Sequence, residues 1–570
     1  MITRQAVSVD PLSSLKSTAP SEENSRMNST SGESTSLAAS FVFVESTVAT
    51  PKIKRKELSR HSTVVQCPNE SSLFTLIECE ETQAHIEGVK VVYPTRDDNF
   101  SLVATNYRLV VHNASETIEI PLTSILDLKS KNLLSRHSST DNAQTGNGLC
   151  LDVKTKDCRF FQFSIPTDTR FLKLINSLAF ELKTDQLLPL LRLSKSVKRK
   201  STCEIFNEEL KRFGSSNLRV SEINSDFSLC PTYPKYFIVP TGVSDDILRG
   251  SSKFRDKGRI PVVSWAGKNA GGLIVRSSQP RSSLLNRSGD DEEYLKRLNI
   301  LFIIDCRPML NAYANIANGA GVESLGNYHQ GIELWFASIQ NIHHVRDSWE
   351  KMFSVSQQFF TGNEKSGWFS GLEATGWYDH ISSILKAASV LSEKVQAGIN
   401  VLCRCSHGLD RTPQVVSLAM LSIDPYYRTI DGFATLIQKE WIGMGHRFHS
   451  RNCLGHSPND EFSPIFTQWI ESVYQVVAAY PDAFEFKPAF LLAVLFAMLS
   501  GRYVDFLYDC EKERNDTQTL GESVWPSLTS RKDLLNLNYS KSDDPIAIDF
   551  RIARIQVFSD LWLSIKRITI

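Results

Sequence analysis

Segment 405–411 reads Cys-Ser-His-Gly-Leu-Asp-Arg, so that a cysteine and an arginine enclose five residues. An apolar run ends just before this segment, and a helical pattern begins just after it. A loop between a strand and a helix N-terminus directs several backbone N–H groups, and the positive end of the helix dipole, at one point. Such a point binds a tetrahedral anion and lowers the pKa of a cysteine placed there. The spacing predicts a phosphate-binding loop in which Cys405 is a thiolate nucleophile.

The rest of the segment has side chains that phosphate-ester hydrolysis requires. Arg411 has a planar fork of donors that matches two phosphate oxygens. Asp410 is a candidate general acid for the leaving-group oxygen, and the hydroxyl of Thr412 or Ser406 could hydrogen-bond the sulfur. Gly408 allows the backbone to approach the ligand closely. A cysteine and an arginine at this spacing form a weak pattern alone, but the surrounding strand, turn and helix favour a phosphatase.

Alternating strands and helices surround this loop. Apolar runs at 299–305 and 399–403 predict buried strands, and helical patterns cover 378–397 and 414–422. The alternation predicts an α/β domain with a central sheet, which we assign to residues 200–570.

The region before this domain is rich in β-strand patterns. Short runs of β-branched and apolar residues predict strands after about residue 72, and 169–182 predicts an amphipathic helix that follows them. Several strands and one helix predict a small β-barrel capped by a helix, over residues 67–190. Residues 1–66 are rich in serine and threonine, and we expect this tail to be disordered. The expected fold is a multidomain α+β and α/β chain, with the barrel followed by a large phosphatase domain.

Composition and charge argue against several other classes of protein. Lysine plus arginine equals aspartate plus glutamate, at 63 each, so no global charge indicates a nucleic-acid partner. The 11 cysteines include no Cys-x-x-Cys pair, which argues against a zinc ribbon or a thioredoxin-like site. The N-terminus lacks a signal-peptide pattern, so we expect a cytoplasmic protein with reduced thiols. The most apolar stretch, 490–499, is too short to cross a bilayer and predicts a buried helix.

Segment 405–412 resembles the active-site loop of the myotubularin phosphatases, which reads Cys-Ser-Asp-Gly-Trp-Asp-Arg-Thr. Other stretches, spread in order over about 72–565, resemble the same family and include 230–234 (Cys-Pro-Thr-Tyr-Pro), 305–308 (Asp-Cys-Arg-Pro), 424–429 (Asp-Pro-Tyr-Tyr-Arg-Thr) and 445–448 (Gly-His-Arg-Phe). The β-rich N-terminal region is similar to the PH-GRAM domain that precedes the phosphatase domain in this family. The resemblance implies a phosphatase that uses no metal or other cofactor.

The family resemblance also implies a substrate and a set of site residues. The substrates would be phosphatidylinositol 3-phosphate and phosphatidylinositol 3,5-bisphosphate, which lose their 3-phosphate. Cys405 would be the nucleophile, Asp410 the general acid and Arg411 the phosphate clamp. The residues implied to bind substrate are Ser406, His407, Gly408, Leu409, Thr412, Asn315, Asn341, Ile342, Arg447 and Arg451. Membership further implies a peripheral position on endosomal or other phosphoinositide-bearing membranes, and a possible hetero-oligomer with a related family member.

Two loop positions depart from the family pattern. His407 replaces an aspartate and Leu409 replaces a tryptophan, while the stretch 315–323 follows the family's glycine-rich segment only in part. His407 exchanges an acid for a group that can become cationic. Neither change deletes a bond-making group, so we expect activity, reduced or altered in lipid preference. Two other hypotheses stay open: an inactive lipid-binding adaptor of the same family, and a phosphoprotein phosphatase with the same nucleophile chemistry.

Overall fold

The computed structural model of the chain describes residues 74–94, 97–132, 148–166, 169–183, 186–187, 200–268, 271–282, 286–314, 321–360, 367–516 and 521–564. The predicted disordered tail at 1–66 and the candidate site residue Asn315 lie outside these described residues.

A seven-stranded antiparallel sheet forms the N-terminal region, where the runs of β-branched and apolar residues predict strands. Its spatial order is β4-β3-β2-β1-β7-β6-β5. The strands are β1 Thr82–Tyr93, β2 Asp97–Thr105, β3 Arg108–His112, β4 Thr117–Pro121, β5 Ile125–Asn132, β6 Gly148–Thr155 and β7 Phe160–Pro166. Helix α1 (Thr169–Phe180) follows them and packs the apolar face formed by Phe171, Ile175 and Ala179 into the core of the sheet. This i, i+4, i+8 spacing places the three side chains on one side of the helix.

The second sheet also has seven strands and contains both parallel and antiparallel pairs. Its order is β13-β12-β14-β11-β10-β9-β8, and β14 pairs in parallel with β11 and β12 on its two sides. The strands are β8 Leu218–Ser221, β9 Phe237–Pro240, β10 Val262–Ala266, β11 Leu273–Ser277, β12 Ile300–Asp305, β13 Glu333–Phe336 and β14 Asn400–Arg404. The runs predicted at 299–305 and 399–403 therefore correspond to β12 and β14, each within one residue at either end.

Helices cover both faces of this second sheet. The helices after α1 are α2 Thr202–Phe213, α3 Asp245–Phe254, α4 Gly289–Arg297, α5 Met309–Ala314, α6 Ile342–Phe360, α7 Trp368–Ala374, α8 Trp377–Gln396, α9 Arg411–Ile423, α10 Ile430–Ile437, α11 Phe448–Asn452, α12 Ile465–Ala479, α13 Pro488–Leu499, α14 Glu511–Asp516, α15 Val524–Thr529 and α16 Ser559–Trp562, with a π-helical turn at Gln438–Gly443. Val401 and Cys403 of β14 face one apolar core, and Leu402 faces the other. Strand β14 is thus buried on both sides, which explains its continuous apolar run.

The apolar stretch at 490–499 lies within α13 and is buried throughout, which confirms the predicted core helix. Across the described ranges, no helix combines the length and the apolar character needed to span a bilayer.

Lys156 joins the N-terminal sheet to the segment that follows α11. It lies in the turn between β6 and β7, is 2% exposed, and donates to the carbonyl oxygens of Thr123 at 2.8 Å and Cys453 at 3.1 Å. Burial is the main cause that lowers the pKa of this ammonium group to about 7. The folded protein therefore holds a lysine that loses its proton near neutral pH.

We expect this lysine to make the stability of the protein depend on pH. Between pH 7 and the ordinary lysine value of 10.5, the unfolded chain binds more protons at this site than the folded chain. The contribution of Lys156 to the free energy of unfolding should therefore rise as pH increases through this window. Urea unfolding of the wild type and of Lys156→Met, at about pH 6.5 and about pH 9, measures the difference. Lys173→Met on α1 is the control, and a pH dependence that Lys156→Met shares with the wild type would contradict the expectation.

Candidate active site

The predicted phosphate-binding loop connects the end of β14 to the start of α9. Strand β14 ends at Arg404 and the helix begins at Arg411, so the segment 405–410 forms the turn between them. Cys405 is 3% exposed at the start of the turn, and its Sγ atom accepts a hydrogen bond from the Gly408 N–H at 3.2 Å. The thiol therefore lies at the positive end of α9, where backbone donors converge.

The surroundings of Cys405 favour the thiolate. Burial alone would raise the pKa of this thiol, but the charge of Arg411 and hydrogen bonding from Thr412 at the start of α9 lower it below its ordinary value. A lowered pKa increases the fraction of the nucleophilic form at neutral pH. The chemistry predicted for Cys405 is therefore consistent with its environment.

Gly408 is required by both conformation and space. Its φ angle is +69°, and a Cβ atom there would lie 2.6 Å from the carbonyl oxygen of Ser277. Its own carbonyl accepts hydrogen bonds from Arg276 Nη2 at 2.6 Å and Arg259 Nη2 at 3.3 Å. Both arginines are buried, so they fix the loop from behind at this carbonyl.

Arg411 faces the same cleft as Cys405. Its Nη1 atom donates to the Ile339 carbonyl and its Nη2 atom donates to Ser406 Oγ, both at 3.3 Å. Both acceptors are neutral, so these contacts orient the guanidinium without neutralising its charge. The geometry leaves that charge available to a phosphate.

A cleft of about 290 Å³ brings most of the predicted site residues together. The predicted residues that line it are Cys405, Ser406, His407, Leu409, Asp410, Arg411, Asn341, Ile342, Arg447 and Arg451. Gly408 and Thr412 are buried in the loop and helix behind its wall. Asn341 also caps α6, because its Oδ1 atom accepts from the backbone N–H groups of His343 at 3.0 Å and His344 at 3.2 Å.

Asp410 is ionised in this arrangement. Its two carboxylate oxygens accept from Arg451 Nε at 3.0 Å and Arg451 Nη2 at 2.9 Å, and His446 Nδ1 lies 3.4 Å from Oδ1. Burial would raise the pKa of the Asp410 carboxyl, but the charge of Arg451 and hydrogen bonds from His446 and Arg451 hold it well below its usual range. A carboxylate in this state cannot donate a proton until its surroundings change.

The two predicted pocket arginines are also paired with acidic residues. Arg447 Nη1 and Arg451 Nη1 lie 2.7 Å and 2.5 Å from the same oxygen, Oε2 of Glu461. Arg447 Nε lies 3.3 Å from Asp509 as well. The positive charge that the sequence predicts beside the substrate is therefore balanced by carboxylates in the structure.

The two loop residues that differ from the family pattern have distinct surroundings. His407 is 45% exposed in its side chain, and its Nε2 atom lies 3.1 Å from Asp256 Oδ2. Burial raises the pKa of Asp256, but the hydrogen bond and charge of His407 outweigh it and lower that pKa. Leu409 is 2% exposed, and its carbonyl accepts from His446 Nδ1 at 2.9 Å. His407 therefore lies at the rim of the cleft, whereas Leu409 packs into its wall.

A chain of buried ion pairs supports the strand end that carries the loop. Arg404 pairs with Asp305 at 2.8 Å and with Glu323 at 2.5 Å, and Glu323 also pairs with Arg255 at 2.8 Å. All four side chains are 0% exposed. Such a network is stable only when every charge has its partner.

Sequence reasoning missed several residues that shape the site. Glu461, Lys257 and His343 line the cleft, and Arg259 and Arg276 hold the loop from behind. The stretches 254–261 and 341–343, which contain Lys257, Arg259 and His343, also resemble the family, but that resemblance indicates no role for any of these three residues.

Comparisons with known proteins agree with this geometry. Residues 185–515 match the family described as myotubularin-like phosphatase domain. The chain belongs to this family. It is 34% identical, over 496 residues, to the Mus musculus phosphatidylinositol-3,5-bisphosphate 3-phosphatase MTMR6, covering 81% of this chain and 77% of that protein. It is 38% identical, over 459 residues, to Rattus norvegicus myotubularin, covering 76% of this chain and 74% of that protein.

A third relative matches over a shorter length. The Pongo abelii phosphatidylinositol-3-phosphate phosphatase MTMR7 is 38% identical over 352 residues, which is 58% of this chain and 52% of that protein. Membership of the myotubularin-like phosphatases agrees with the family resemblance of the loop and of the other stretches. The mixed α/β fold of two sheets with many helices agrees with the strand and helix patterns in the sequence.

Proposed function

We propose that this myotubularin-like chain removes the 3-phosphate from phosphatidylinositol 3-phosphate and phosphatidylinositol 3,5-bisphosphate. The observation that carries the proposal is the meeting of three groups: the Cys405 thiol, whose pKa is lowered, the Gly408 N–H that donates to it, and the guanidinium of Arg411 in the same cleft. Relatives named for these two lipid substrates support the choice of substrate. The chemistry is phosphoryl transfer to a thiolate, followed by hydrolysis.

In the first step, the Cys405 thiolate attacks the phosphorus atom. A bond forms between sulfur and phosphorus, and the bond from phosphorus to the inositol oxygen breaks. The backbone N–H groups of the loop and the fork of Arg411 stabilise the charge on the phosphoryl oxygens. The inositol oxygen leaves with a proton.

Asp410 is our candidate for the source of that proton, although it is ionised in the free site. A phosphate dianion bound beside Asp410 disfavours its negative charge, which raises the pKa of the carboxyl. With the bisphosphate, contact between Arg451 and the second phosphate would act in the same direction, because it would weaken the ion pair that holds Asp410 as a carboxylate. Substrate binding would thus prepare the acid.

In the second step, a water molecule attacks the phosphocysteine. Asp410, again a carboxylate, accepts a proton from the water, the bond from sulfur to phosphorus breaks, and inorganic phosphate leaves. The departing thiolate is stabilised by the Gly408 N–H, by Arg411 and by Thr412. Ser406 has a positioning role in this scheme, since its hydroxyl accepts from Arg411.

The domain organisation and the location form part of the same proposal. We propose that the first sheet and α1, with the surrounding residues 67–190, form a PH-GRAM-like domain, and that residues 200–570 form the phosphatase domain. A phosphoinositide substrate requires the protein to work as a peripheral protein at a membrane surface, and endosomal membranes are the proposed location. A hetero-oligomer with a related family member is the proposed assembly.

Phosphate release from three substrates tests the function. The substrates are short-chain phosphatidylinositol 3-phosphate, short-chain phosphatidylinositol 3,5-bisphosphate and a phosphotyrosine peptide, each compared with a blank that lacks the protein. Release from the lipids at a kcat/KM at least about a hundredfold above that for the peptide is the expected result. Preferred release from the peptide would replace the proposal with a phosphoprotein phosphatase. No release from any substrate, with retained binding to 3-phosphate vesicles, would leave a lipid-binding adaptor.

A further inference from the structure

Glu461 occupies a bridging position between two arginines of the cleft. One of its carboxylate oxygens, Oε2, lies 2.7 Å from Arg447 Nη1 and 2.5 Å from Arg451 Nη1. Charge-assisted contacts of this length are strong hydrogen bonds. Burial raises the pKa of the Glu461 carboxyl, but the hydrogen bond from Arg451 and the charges of both arginines outweigh it. Glu461 is therefore an anion bound inside the site by the groups that would bind a ligand anion.

The three carboxylates around these arginines differ in how readily they can move. Asp410 binds Arg451 through both oxygens and is 15% exposed, and Asp509 also accepts hydrogen bonds from Ser450 and is 14% exposed. The side chain of Glu461 is 47% exposed and follows a run of exposed residues at 456–460. Glu461 can therefore turn to solvent with the smallest loss of packing and hydrogen bonding.

We propose that Glu461 determines the preference between inositol lipids with one phosphate and those with a second phosphate. This inference rests on the proposed function, because it concerns the choice between two substrates of the same cleft. Arg447 and Arg451 are the arginines that line the cleft besides Arg411, so we expect a second phosphate to take these two as donors, and it can bind them only after Glu461 leaves. A ligand with a single phosphate binds Cys405, Arg411 and the loop, and it requires no such exchange. Glu461 thus weakens the binding of the bisphosphate relative to the monophosphate.

The ratio of two kcat/KM values tests the inference. The ratio for short-chain phosphatidylinositol 3,5-bisphosphate over phosphatidylinositol 3-phosphate is measured for the wild type and Glu461→Gln. We expect the ratio to rise about tenfold in Glu461→Gln, since one charge-assisted interaction changes an affinity by roughly that factor. Glu461→Asp restores the charge, so its ratio should return towards the wild-type value. Glu373→Gln on α7 makes the same substitution away from the cleft and should leave the ratio unchanged.

Binding measurements separate this inference from the proposed function. In the Cys405→Ser background, dissociation constants for vesicles that contain the mono- or bisphosphate should show the same roughly tenfold change in ratio. A ratio that stays within about twofold of the wild type in Glu461→Gln, by turnover or by binding, overturns the role of Glu461. Absence of turnover in the wild type would contradict the proposed function instead. In that case the ratio of the two vesicle dissociation constants still tests the role of Glu461. If Glu461→Gln does not fold, Glu461→Ser removes the same carboxylate and is measured in its place.

Discussion

The Cys405→Ser protein should release no measurable phosphate from phosphatidylinositol 3-phosphate, a loss of more than about a thousandfold in kcat. A serine hydroxyl is not ionised at neutral pH, so it gains little from the positive charge of Arg411 that stabilises the Cys405 thiolate. The backbone donors of the loop and the guanidinium of Arg411 remain in place. Binding to 3-phosphate vesicles should therefore persist, and it should tighten somewhat because the thiolate no longer repels the phosphate dianion. Phosphate release and vesicle co-sedimentation measure the two effects.

A second cysteine, in the strand that leads into the loop, offers a matched control. Cys403 is two residues before Cys405, is fully buried, and has its Sγ atom 3.6 Å from Cys306 Sγ, without lining the cleft. We expect Cys403→Ser to retain most of the phosphate release once its folding has been verified. Equal loss in the two variants would indicate a general effect on the strand end. Wild-type release by Cys405→Ser would show that the nucleophile is another group.

The candidate phosphate-binding loop could be located from the sequence because its candidate functional groups are contiguous. Strand β14, the loop and α9 follow one another within 24 residues, 400–423, so residue type and spacing alone indicate their arrangement. The strands predicted at 299–305 and 399–403 could be located for a similar reason, since a strand that is buried on both faces requires a continuous apolar run. Family resemblance then added Asn341, Arg447 and Arg451, which the structure brings to the same cleft.

The residues that support the loop were not predictable, because they come from distant parts of the chain. Arg276 Nη2 contacts a carbonyl that lies 132 positions further along the sequence. Pairing of β11 with β14 brings them together, and that pairing cannot be derived from local periodicity. The ionised state of Asp410 was missed for the same reason, because it depends on Arg451, which is 41 positions away. Charge partners of this kind require tertiary geometry.

The Glu323→Gln protein should lose about 3–5 kcal/mol of its free energy of unfolding. Glu323 accepts from Arg404 Nε through both oxygens, at 3.0 and 2.9 Å, and pairs with Arg255 at 2.8 Å, with all three side chains 0% exposed. Glutamine retains the shape but removes the negative charge, so two buried guanidinium groups share less countercharge. The expected loss is a large part of the total stability of a folded domain. Urea unfolding of the two proteins at neutral pH measures it.

A surface ion pair provides the control for this substitution. Glu208 lies 2.7 Å from Lys200, and both side chains are more than half exposed, at 55% and 54%. Glu208→Gln should change the free energy of unfolding by less than about 1 kcal/mol, because solvent screens the pair. A similar small change in Glu323→Gln would mean that the buried network does not depend on this carboxylate.

The effect of Glu323→Gln on the free energy of unfolding should also depend on pH, and the direction of that dependence follows from the pKa of the Glu323 carboxyl. Burial would raise the pKa of Glu323, but Arg404 and Arg255 lower it to about 2, below the ordinary value of 4.5. Between about pH 2 and pH 4.5, the folded protein therefore binds fewer protons at Glu323 than the unfolded chain does. The stabilisation is complete above about pH 4.5 and is lost as pH falls towards 2. The difference in the free energy of unfolding between the wild type and Glu323→Gln should therefore narrow as pH falls through that window. Because Arg404 adjoins Cys405, loss of the network should also reduce phosphate release.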